Sequence, residues 1–374
     1  MADSEVIPYI DFSHKNSEIR ADLINAFEKV IDGGQYIQGT EVSNFESEFA
    51  QYCGTNFGIG VANGTCSLTL ILKSFKFPID SEVITTPNSF IASASSIILA
   101  GLRPVFVDVS EDMNMNPELL EEVITEKTRA IMPVHLTGRP AKMEAINQIA
   151  KRHNLIVIED AAQAVGAMLD GKKVGGLGDF ASFSLHPLKN LHAYGDAGIV
   201  TCNNEDTAKR LQILKNHGLV DRSTCDIFSS NCRLDEMQAA FLRIQLRRLD
   251  AWTLERRRLA HRYNEKLKDV VDVPVENLNE YHVYQTYMIK ASNRDDLQKY
   301  LKAVGVETSV HYPVPIHLQP AAKNLGYEVG DFPITEKLSH VILSLPLYVG
   351  LSEKGQDYVI EHISNFYERK LSRG

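Results

Sequence analysis

Two side chains that each follow a short apolar run are the best candidates for chemistry in this chain. Lys189 comes shortly after the apolar run at 181 to 185, and Asp160 ends the run at 155 to 160. A lysine amine can form a Schiff base with an aldehyde. A carboxylate can keep a pyridine nitrogen protonated, so that the ring withdraws electrons from a carbanion. The pair therefore indicates an enzyme that uses pyridoxal 5′-phosphate (PLP).

A possible phosphate site lies earlier in the chain. Gly64 and Thr65 stand between a strand-like run at 57 to 62 and a helical pattern at 66 to 75. The free N–H groups and the dipole of a helix start can bind a phosphate. In an open parallel sheet the carboxyl ends of the strands form the binding crevice, so this dipeptide should meet Asp160 and Lys189 there. Singly, each residue could be an ordinary helix cap or surface charge, and only their convergence is specific.

The elements that must position these residues follow an alternating pattern. Helical segments at 117 to 125 and 140 to 153 separate strand-like runs, which lie at 82 to 86, 104 to 109, 130 to 136, 155 to 160, 181 to 185 and 199 to 202. This alternation predicts an α/β fold, with a mostly parallel sheet between two helical layers. A long helical pattern after Arg233 leads to a smaller α+β region. We expect a large domain at 1 to 245 and a small one at 246 to 374, against which the N-terminal segment could pack.

Composition narrows the class of protein. The 374 residues are 44% hydrophobic and 23% charged, which suits a two-domain globular chain. A net charge of -9 argues against nucleic-acid and membrane-surface partners. The five scattered cysteines suggest neither a disulfide framework nor a zinc site, and we expect no metal. Without a signal-peptide pattern or a membrane-length apolar run, the chain is expected to be cytoplasmic.

The motifs together resemble the DegT/DnrJ/EryC1/StrS family of sugar aminotransferases, which are PLP enzymes of fold type I. The resemblance runs from the segment at 7 to 11 to the segment at 343 to 346. It implies that Lys189 is the internal-aldimine lysine and proton shuttle, and that Asp160 pairs with the pyridine nitrogen. It further implies cofactor contacts from Gly64, Thr65, Phe90, Gln163, Ser184 and Asn231. In this family the asparagine reaches the phosphate of the neighbouring subunit, so the resemblance implies a homodimer.

The resemblance also implies the substrates. The donor would be L-glutamate or glutamine, and the acceptor a nucleotide-linked keto sugar. The runs at 232 to 240 and 311 to 319 look like the branch that acts on dTDP- or UDP-3-keto-(6-deoxy)hexoses. Candidate substrate contacts are His186, Lys215, Arg233, His311, Tyr312 and His317, with the lysine and arginine placed to bind a diphosphate. The histidines and the tyrosine could instead pack within their loops.

Several alternatives stay open at this stage. They are a 4-keto-sugar aminotransferase, an inosose aminotransferase, a PLP-dependent sugar dehydratase and a PLP-binding sensor or regulator. In one dehydratase branch a histidine replaces the catalytic lysine, whereas Lys189 is present here, which favours transamination. A regulator would usually carry a basic helix-turn-helix region, and this sequence shows none.

Overall fold

The computed structural model describes residues 6 to 371. Its strands are β1 (Phe57–Val61), β2 (Glu82–Thr85), β3 (Arg103–Phe106), β4 (Thr128–Ile131), β5 (Ile156–Asp160), β6 (Met168–Leu169), β7 (Lys172–Lys173), β8 (Phe180–Ser184), β9 (Gly198–Cys202), β10 (Glu280–Tyr281), β11 (Tyr287–Lys290) and β12 (Ile342–Leu345).

The α-helices alternate with the strands in the first part of the chain and dominate the last part. They are α1 (Ser13–Gly33), α2 (Thr40–Cys53), α3 (Gly64–Ser74), α4 (Ala92–Leu99), α5 (Leu120–Val123), α6 (Met143–His153), α7 (Glu205–Leu214), α8 (Glu236–Leu246), α9 (Leu249–Leu267), α10 (Arg294–Ala303), α11 (Pro333–Val341) and α12 (Glu353–Leu371). Within the described residues, no helix is both long and apolar enough to cross a membrane.

Seven strands form the central sheet in the order β1-β9-β8-β5-β4-β2-β3. Strands β8, β5, β4, β2 and β3 are parallel neighbours, whereas β9 pairs antiparallel with both β1 and β8. The predicted mostly parallel α/β sheet is therefore confirmed. The reversed strand β9 was not anticipated, because the apolar run at 199 to 202 carries no information on direction.

Helices cover both faces of the sheet, since neighbouring side chains along a strand point to opposite faces. Phe183 of β8 and Ile199 of β9 belong to a buried cluster with residues of α2 and α8. Phe180 and Val200, on the same two strands, belong to a second cluster with residues of α3 and α7. The sheet is thus the middle layer of an α/β/α arrangement.

A separate hydrophobic core forms the C-terminal part of the molecule. It joins α9, α10 and α12 to the antiparallel pair β11 and β12. Ile7 is buried in this core and bridges to Val306. Strand β11 begins at Tyr287, three residues after Tyr284, which has a left-handed backbone with φ of 49°. The helix expected at 117 to 125 is a single 3-10 turn followed by the short α5.

Candidate active site

A cavity of about 650 Å³ lies at the carboxyl ends of the sheet strands. This edge is where an open α/β sheet forms its ligand crevice. The cavity brings together ten of the residues selected from the sequence, namely Gly64, Thr65, Phe90, Asp160, Gln163, Ser184, His186, Lys189, His311 and Tyr312. Segments that are far apart in the sequence therefore meet at one concave site, as the strand-end argument predicted.

Lys189 follows β8 in a turn where its N–H donates to the His186 carbonyl at 2.9 Å. Among residues 6 to 371, no hydrogen-bond or ion-pair partner contacts the Lys189 amine. Burial lowers the pKa of Lys189 to about 8, although the negative charge of Asp160 opposes this shift. A free amine with a lowered pKa is a competent nucleophile and proton carrier. The Nδ1 atom of His186 accepts from the Leu188 N–H at 3.2 Å, which shapes the same loop.

Asp160 ends β5 and is buried. Its Oδ2 accepts a hydrogen bond of 2.6 Å from the Ser93 hydroxyl, and its Oδ1 accepts one of 3.3 Å from the Ala162 N–H. Burial raises the pKa of Asp160, and these two hydrogen bonds oppose the rise. A buried carboxylate becomes more favourable when a cation pairs with it. A protonated pyridine nitrogen would be such a cation.

The start of α3 provides free donors for a phosphate. The Asn63 side chain caps this helix by accepting from the Cys66 N–H at 2.8 Å. The N–H groups of Gly64 and Thr65 have no acceptor in the described part of the chain. A Cβ at position 64 would lie 2.9 Å from the Ser184 Cβ, so glycine permits the close approach of α3 to β8. Backbone N–H groups at a helix start with a nearby hydroxyl suit a phosphate.

A second group of side chains forms the wall near Asp160. The Gln163 Oε1 accepts from the Thr137 N–H at 2.8 Å, and its Nε2 donates to the Tyr312 hydroxyl at 3.3 Å. The rings of Phe90 and Tyr312 lie 5.8 Å apart and are tilted by 43°. Phe90 is 56% exposed, so its ring is accessible for stacking on a planar ligand.

His311 lines the cavity, and its burial keeps the imidazole ring neutral. Its Nδ1 is 2.9 Å from the Ser344 hydroxyl, and its ring stacks on Tyr9 at 5.9 Å. Burial lowers the pKa of His311 to about 4, and the nearby charge of Lys189 adds to the shift. Near neutral pH this imidazole can therefore donate or accept a hydrogen bond without carrying charge.

Four residues selected from the sequence lie outside this cavity. Lys215 is buried and pairs with Glu46 at 2.7 Å, so its charge is neutralised within the protein. His317 is buried against Phe332 and contacts Glu336 at 3.1 Å. Both were predicted substrate contacts, and within one chain both pair with carboxylates outside the cavity. The other two are Arg233 and Asn231.

Arg233 and Asn231 lie on a segment that extends the sheet edge. Arg233 bridges to Val61 and donates to the Asn216 amide oxygen at 3.0 Å. Asn231 is exposed and bridges to Asn216. Neither contributes to the wall of its own protomer's cavity. The contacts within a single chain therefore do not support a substrate role for Arg233.

Sequence reasoning missed three polar residues of the site. Ser93 of α4 bonds to Asp160, and both Lys15 of α1 and Arg256 of α9 line the cavity. Their helices are remote in sequence from the strand ends. No spacing or motif connects them to Lys189, and only the folded arrangement of helices around the sheet reveals them.

A lysine amine, a buried carboxylate and an open helix start in one α/β crevice define a PLP-dependent transferase of fold type I. Residues 17–364 match the model of the DegT/DnrJ/EryC1/StrS aminotransferase family. The chain belongs to this family, and the resemblance noted in the sequence is confirmed.

Curated relatives cover nearly the whole chain. The chain is 42% identical to a "Pleiotropic regulatory protein" of Geobacillus stearothermophilus, with 96% of this chain and 98% of the relative covered. It is 38% identical to the dTDP-3-amino-3,4,6-trideoxy-alpha-D-glucose transaminase of Streptomyces venezuelae, with 98% of each chain covered. The predicted aminotransferase class is confirmed.

Solved structures agree with this assignment. DesV of S. venezuelae, solved in complex with a ketimine intermediate, superposes with a TM-score of 0.94 at 38% identity, and the match covers 96% of this chain and 98% of DesV. NtdA of Bacillus subtilis, solved with bound cofactor PMP, gives 0.86 at 30% identity and covers 93% and 82%. The predicted fold and cofactor type are therefore those of solved relatives.

Proposed function

We propose that this protein is a PLP-dependent aminotransferase that moves an amino group from L-glutamate to a nucleotide-linked 3-keto sugar. It would serve amino-sugar biosynthesis, with a dTDP- or UDP-linked 3-keto-(6-deoxy)hexose as the acceptor. One observation carries the proposal: the free amine of Lys189 and the buried carboxylate of Asp160 face one cavity beside the open start of α3.

The chain's residues fit PLP in three ways. Lys189 would hold the cofactor covalently, Asp160 would pair with its ring nitrogen, and the N–H groups of Gly64 and Thr65 would bind its phosphate. When bound, PLP supplies an electrophilic carbon and a ring that withdraws electrons. Lys189 has the lowered pKa that lets its amine take a proton from one carbon and return it to another. Gln163 is fixed by Thr137 and Tyr312 beside Asp160.

Two unpaired cations support a dicarboxylate donor. Lys15 and Arg256 line the cavity, and neither has a carboxylate partner within the described residues. Arg256 donates to the carbonyls of Tyr284 and Gln285, while its Nη1 lacks a partner in residues 6 to 371. Burial lowers the pKa of Lys15 to about 7 and that of Arg256 to about 10. An incoming carboxylate of glutamate would offset this cost of burying positive charge.

The names of two relatives and the polar side chains that line the cavity support a 3-keto sugar as the acceptor. The S. venezuelae relative is named for a 3-amino sugar, and so is a dTDP-3-amino-3,6-dideoxy-alpha-D-galactopyranose transaminase, 40% identical, of Aneurinibacillus thermoaerophilus. His311 and Tyr312 line the cavity near Lys189. They supply a neutral ring nitrogen and a hydroxyl, which suit sugar hydroxyl groups.

The proposal includes a homodimer in the cytoplasm. Asn231 is exposed and lies outside its own cavity, as expected for a residue that serves the neighbouring protomer. Large apolar side chains on α4 and in the segment before it are also exposed, among them Ile98 and Leu99. Such an exposed apolar surface suits burial by a second copy. All five cysteines are free thiols, which fits a reducing compartment.

The function can be tested with purified holoenzyme. We expect incubation with L-glutamate and a panel of dTDP- and UDP-linked 3-keto and 4-keto sugars to yield 3-amino sugars, identified by mass spectrometry and NMR. A reaction without glutamate separates transamination from dehydration, because only the dehydratase forms product in its absence. Amination restricted to 4-keto sugars would contradict the proposed acceptor, and product without glutamate would contradict the proposed reaction. The Lys189→Ala variant is the inactive control.

A further inference from the structure

Two cysteines from distant parts of the chain meet beside the proposed phosphate site. The sulfur atoms of Cys66 and Cys232 lie 3.2 Å apart in hydrogen-bonding contact. Cys66 belongs to the first turn of α3 and lines the cavity. We propose that Cys66 and Cys232 are a reversible redox site, which forms an intrachain disulfide when a peroxide enters the cavity of the cofactor-free protein. This site goes beyond the proposed transamination.

The backbone on both sides of the pair is held in place. The Cys66 N–H donates to the Asn63 cap at 2.8 Å. The Cys232 N–H donates to the Lys215 carbonyl at 2.9 Å, and the Cys232 carbonyl accepts from the Ala62 N–H at 3.1 Å. These contacts keep the two sulfurs facing each other. A disulfide would require the two sulfurs to close from 3.2 Å to a bond length of about 2.05 Å.

The local charges favour one thiolate in the pair. The sulfur atoms of Cys66 and Cys232 share a hydrogen bond, and this contact lowers the pKa of Cys232. The Ser230 hydroxyl contacts the Cys232 sulfur at 3.3 Å, and the nearby side chains of Lys73 and His217 act in the same direction. A thiolate is the form of cysteine that reacts with oxidants.

The chemistry balances with a peroxide as oxidant. The thiolate attacks one peroxide oxygen, the O–O bond breaks, and the departing hydroxide takes a proton to become water. The second sulfur then attacks the resulting sulfenic acid, the S–O bond breaks, and a second water leaves with the remaining thiol proton. Two sulfurs are oxidised by one electron each, and the peroxide is reduced to two waters. A dithiol reductant reverses the bond.

The position of the pair connects it to cofactor binding. Cys66 directly follows Gly64 and Thr65, whose N–H groups are the proposed phosphate donors. Cys66 forms the cavity side of the pair, so a phosphate bound there would cover the approach of a peroxide from the cavity to both sulfurs. We therefore expect the cofactor-free protein to oxidise faster than the holoenzyme. This shielding rests on the proposed function, whereas the formation of the disulfide does not.

The test uses the full chain as holoenzyme and after removal of the cofactor. Each is treated with hydrogen peroxide, alkylated, and mapped by mass spectrometry without reduction. We expect a peptide pair linked through Cys66 and Cys232, the loss of two alkylatable thiols per chain, and recovery of both with dithiothreitol. Cys225 is exposed and its thiol contacts the His217 and Ile227 carbonyls rather than either sulfur of the pair, so Cys225→Ser should form the same link, whereas Cys232→Ser should not.

Two results would overturn the site. One is full alkylation of Cys66 and Cys232 after peroxide treatment of the cofactor-free protein. The other is a disulfide that joins two chains through Cys225. If the intrachain link forms at the same rate with and without cofactor, the shielding and the proposed phosphate site are contradicted while the redox pair stands. Failure of the proposed function is thus distinguishable from failure of this inference.

Discussion

The hydroxyl of Ser93 donates a hydrogen bond of 2.6 Å to the buried carboxylate of Asp160. Ser89 lies 2.8 Å behind it and completes a short chain of hydroxyls that ends at the carboxylate. Burial raises the pKa of Asp160, and the Ser93 hydrogen bond is the largest contribution that opposes the rise. A residue on α4 therefore helps to keep the carboxylate ionised, which is the state that pairs with a pyridinium nitrogen.

Replacement of Ser93 by alanine should shift the acid limb of the activity profile. Without the hydroxyl, the pKa of Asp160 rises further, so its carboxylate becomes protonated at a higher pH as the solution is acidified. We expect activity to fall at a higher pH than in the wild-type enzyme. Ser95→Ala, on the same helix, is the matched control. Identical pH profiles for the wild-type and Ser93→Ala enzymes would show that this hydrogen bond does not tune Asp160.

Arg256→Gln should weaken the binding of the amino donor. Loss of one hydrogen-bonded charge costs about 1.5 to 3 kcal/mol, so KM for glutamate should rise by about 10- to 100-fold. The KM for the keto sugar should change little. Arg262→Gln is a control on the same helix, because Arg262 pairs with Asp357 away from the cavity. If KM for both substrates stayed at wild-type values, the cation would have no role in donor binding.

His311→Gln should affect the acceptor half of the reaction. The imidazole is neutral because burial lowers its pKa to about 4, so its loss removes hydrogen bonding rather than charge. A neutral hydrogen bond is worth about 0.5 to 1.5 kcal/mol, which predicts up to about a tenfold rise in KM for the keto sugar. Steady-state kinetics with each substrate varied would test this. A rise confined to the KM for glutamate would contradict the assignment.

Lys215→Met should reduce stability and leave affinity for the nucleotide sugar unchanged. Lys215 and Glu46 form a buried ion pair with side-chain exposures of 4% and 14%. Removal of one partner from such a pair typically costs about 3 to 5 kcal/mol of unfolding free energy. Denaturant unfolding would measure this loss, and Lys209→Met, which breaks an exposed pair with Glu205, is the control. Normal stability together with weaker binding of the nucleotide sugar would instead indicate that Lys215 binds the diphosphate.

Some residues of the site could be predicted from the sequence, whereas others could not. Gly64, Asp160 and Lys189 could be predicted because each lies at or shortly after the end of a strand, and the ends of parallel strands meet at one edge. Lys215 was predicted to bind a diphosphate, because the sequence does not reveal that its partner Glu46, on a remote helix, neutralises its charge. Ser93 was missed for the same reason, because its contact with Asp160 depends on how α4 packs on the sheet.

The positions of several strands could also be predicted from the sequence. Strands β2, β5 and β8 lie where short β-branched runs predicted them, because a buried parallel strand needs a continuous apolar segment. The direction of β9 and the start of β11 at Tyr287 depend on backbone geometry. The left-handed backbone of Tyr284 has no signature in the sequence, since tyrosine seldom adopts it.

The identity of the lysine that binds PLP is the most direct test of this account. Lys15 is a true competitor, because it lines the same cavity and burial lowers its pKa to about 7. The Lys15 amine, however, donates to the Asn190 carbonyl at 3.2 Å and lies over the Trp252 ring. The Lys189 amine instead interacts electrostatically with the carboxylate of Asp160. Borohydride reduction of the holoenzyme followed by peptide mapping should place the pyridoxyl group on Lys189. Its recovery on Lys15 or on any other lysine would contradict the central claim.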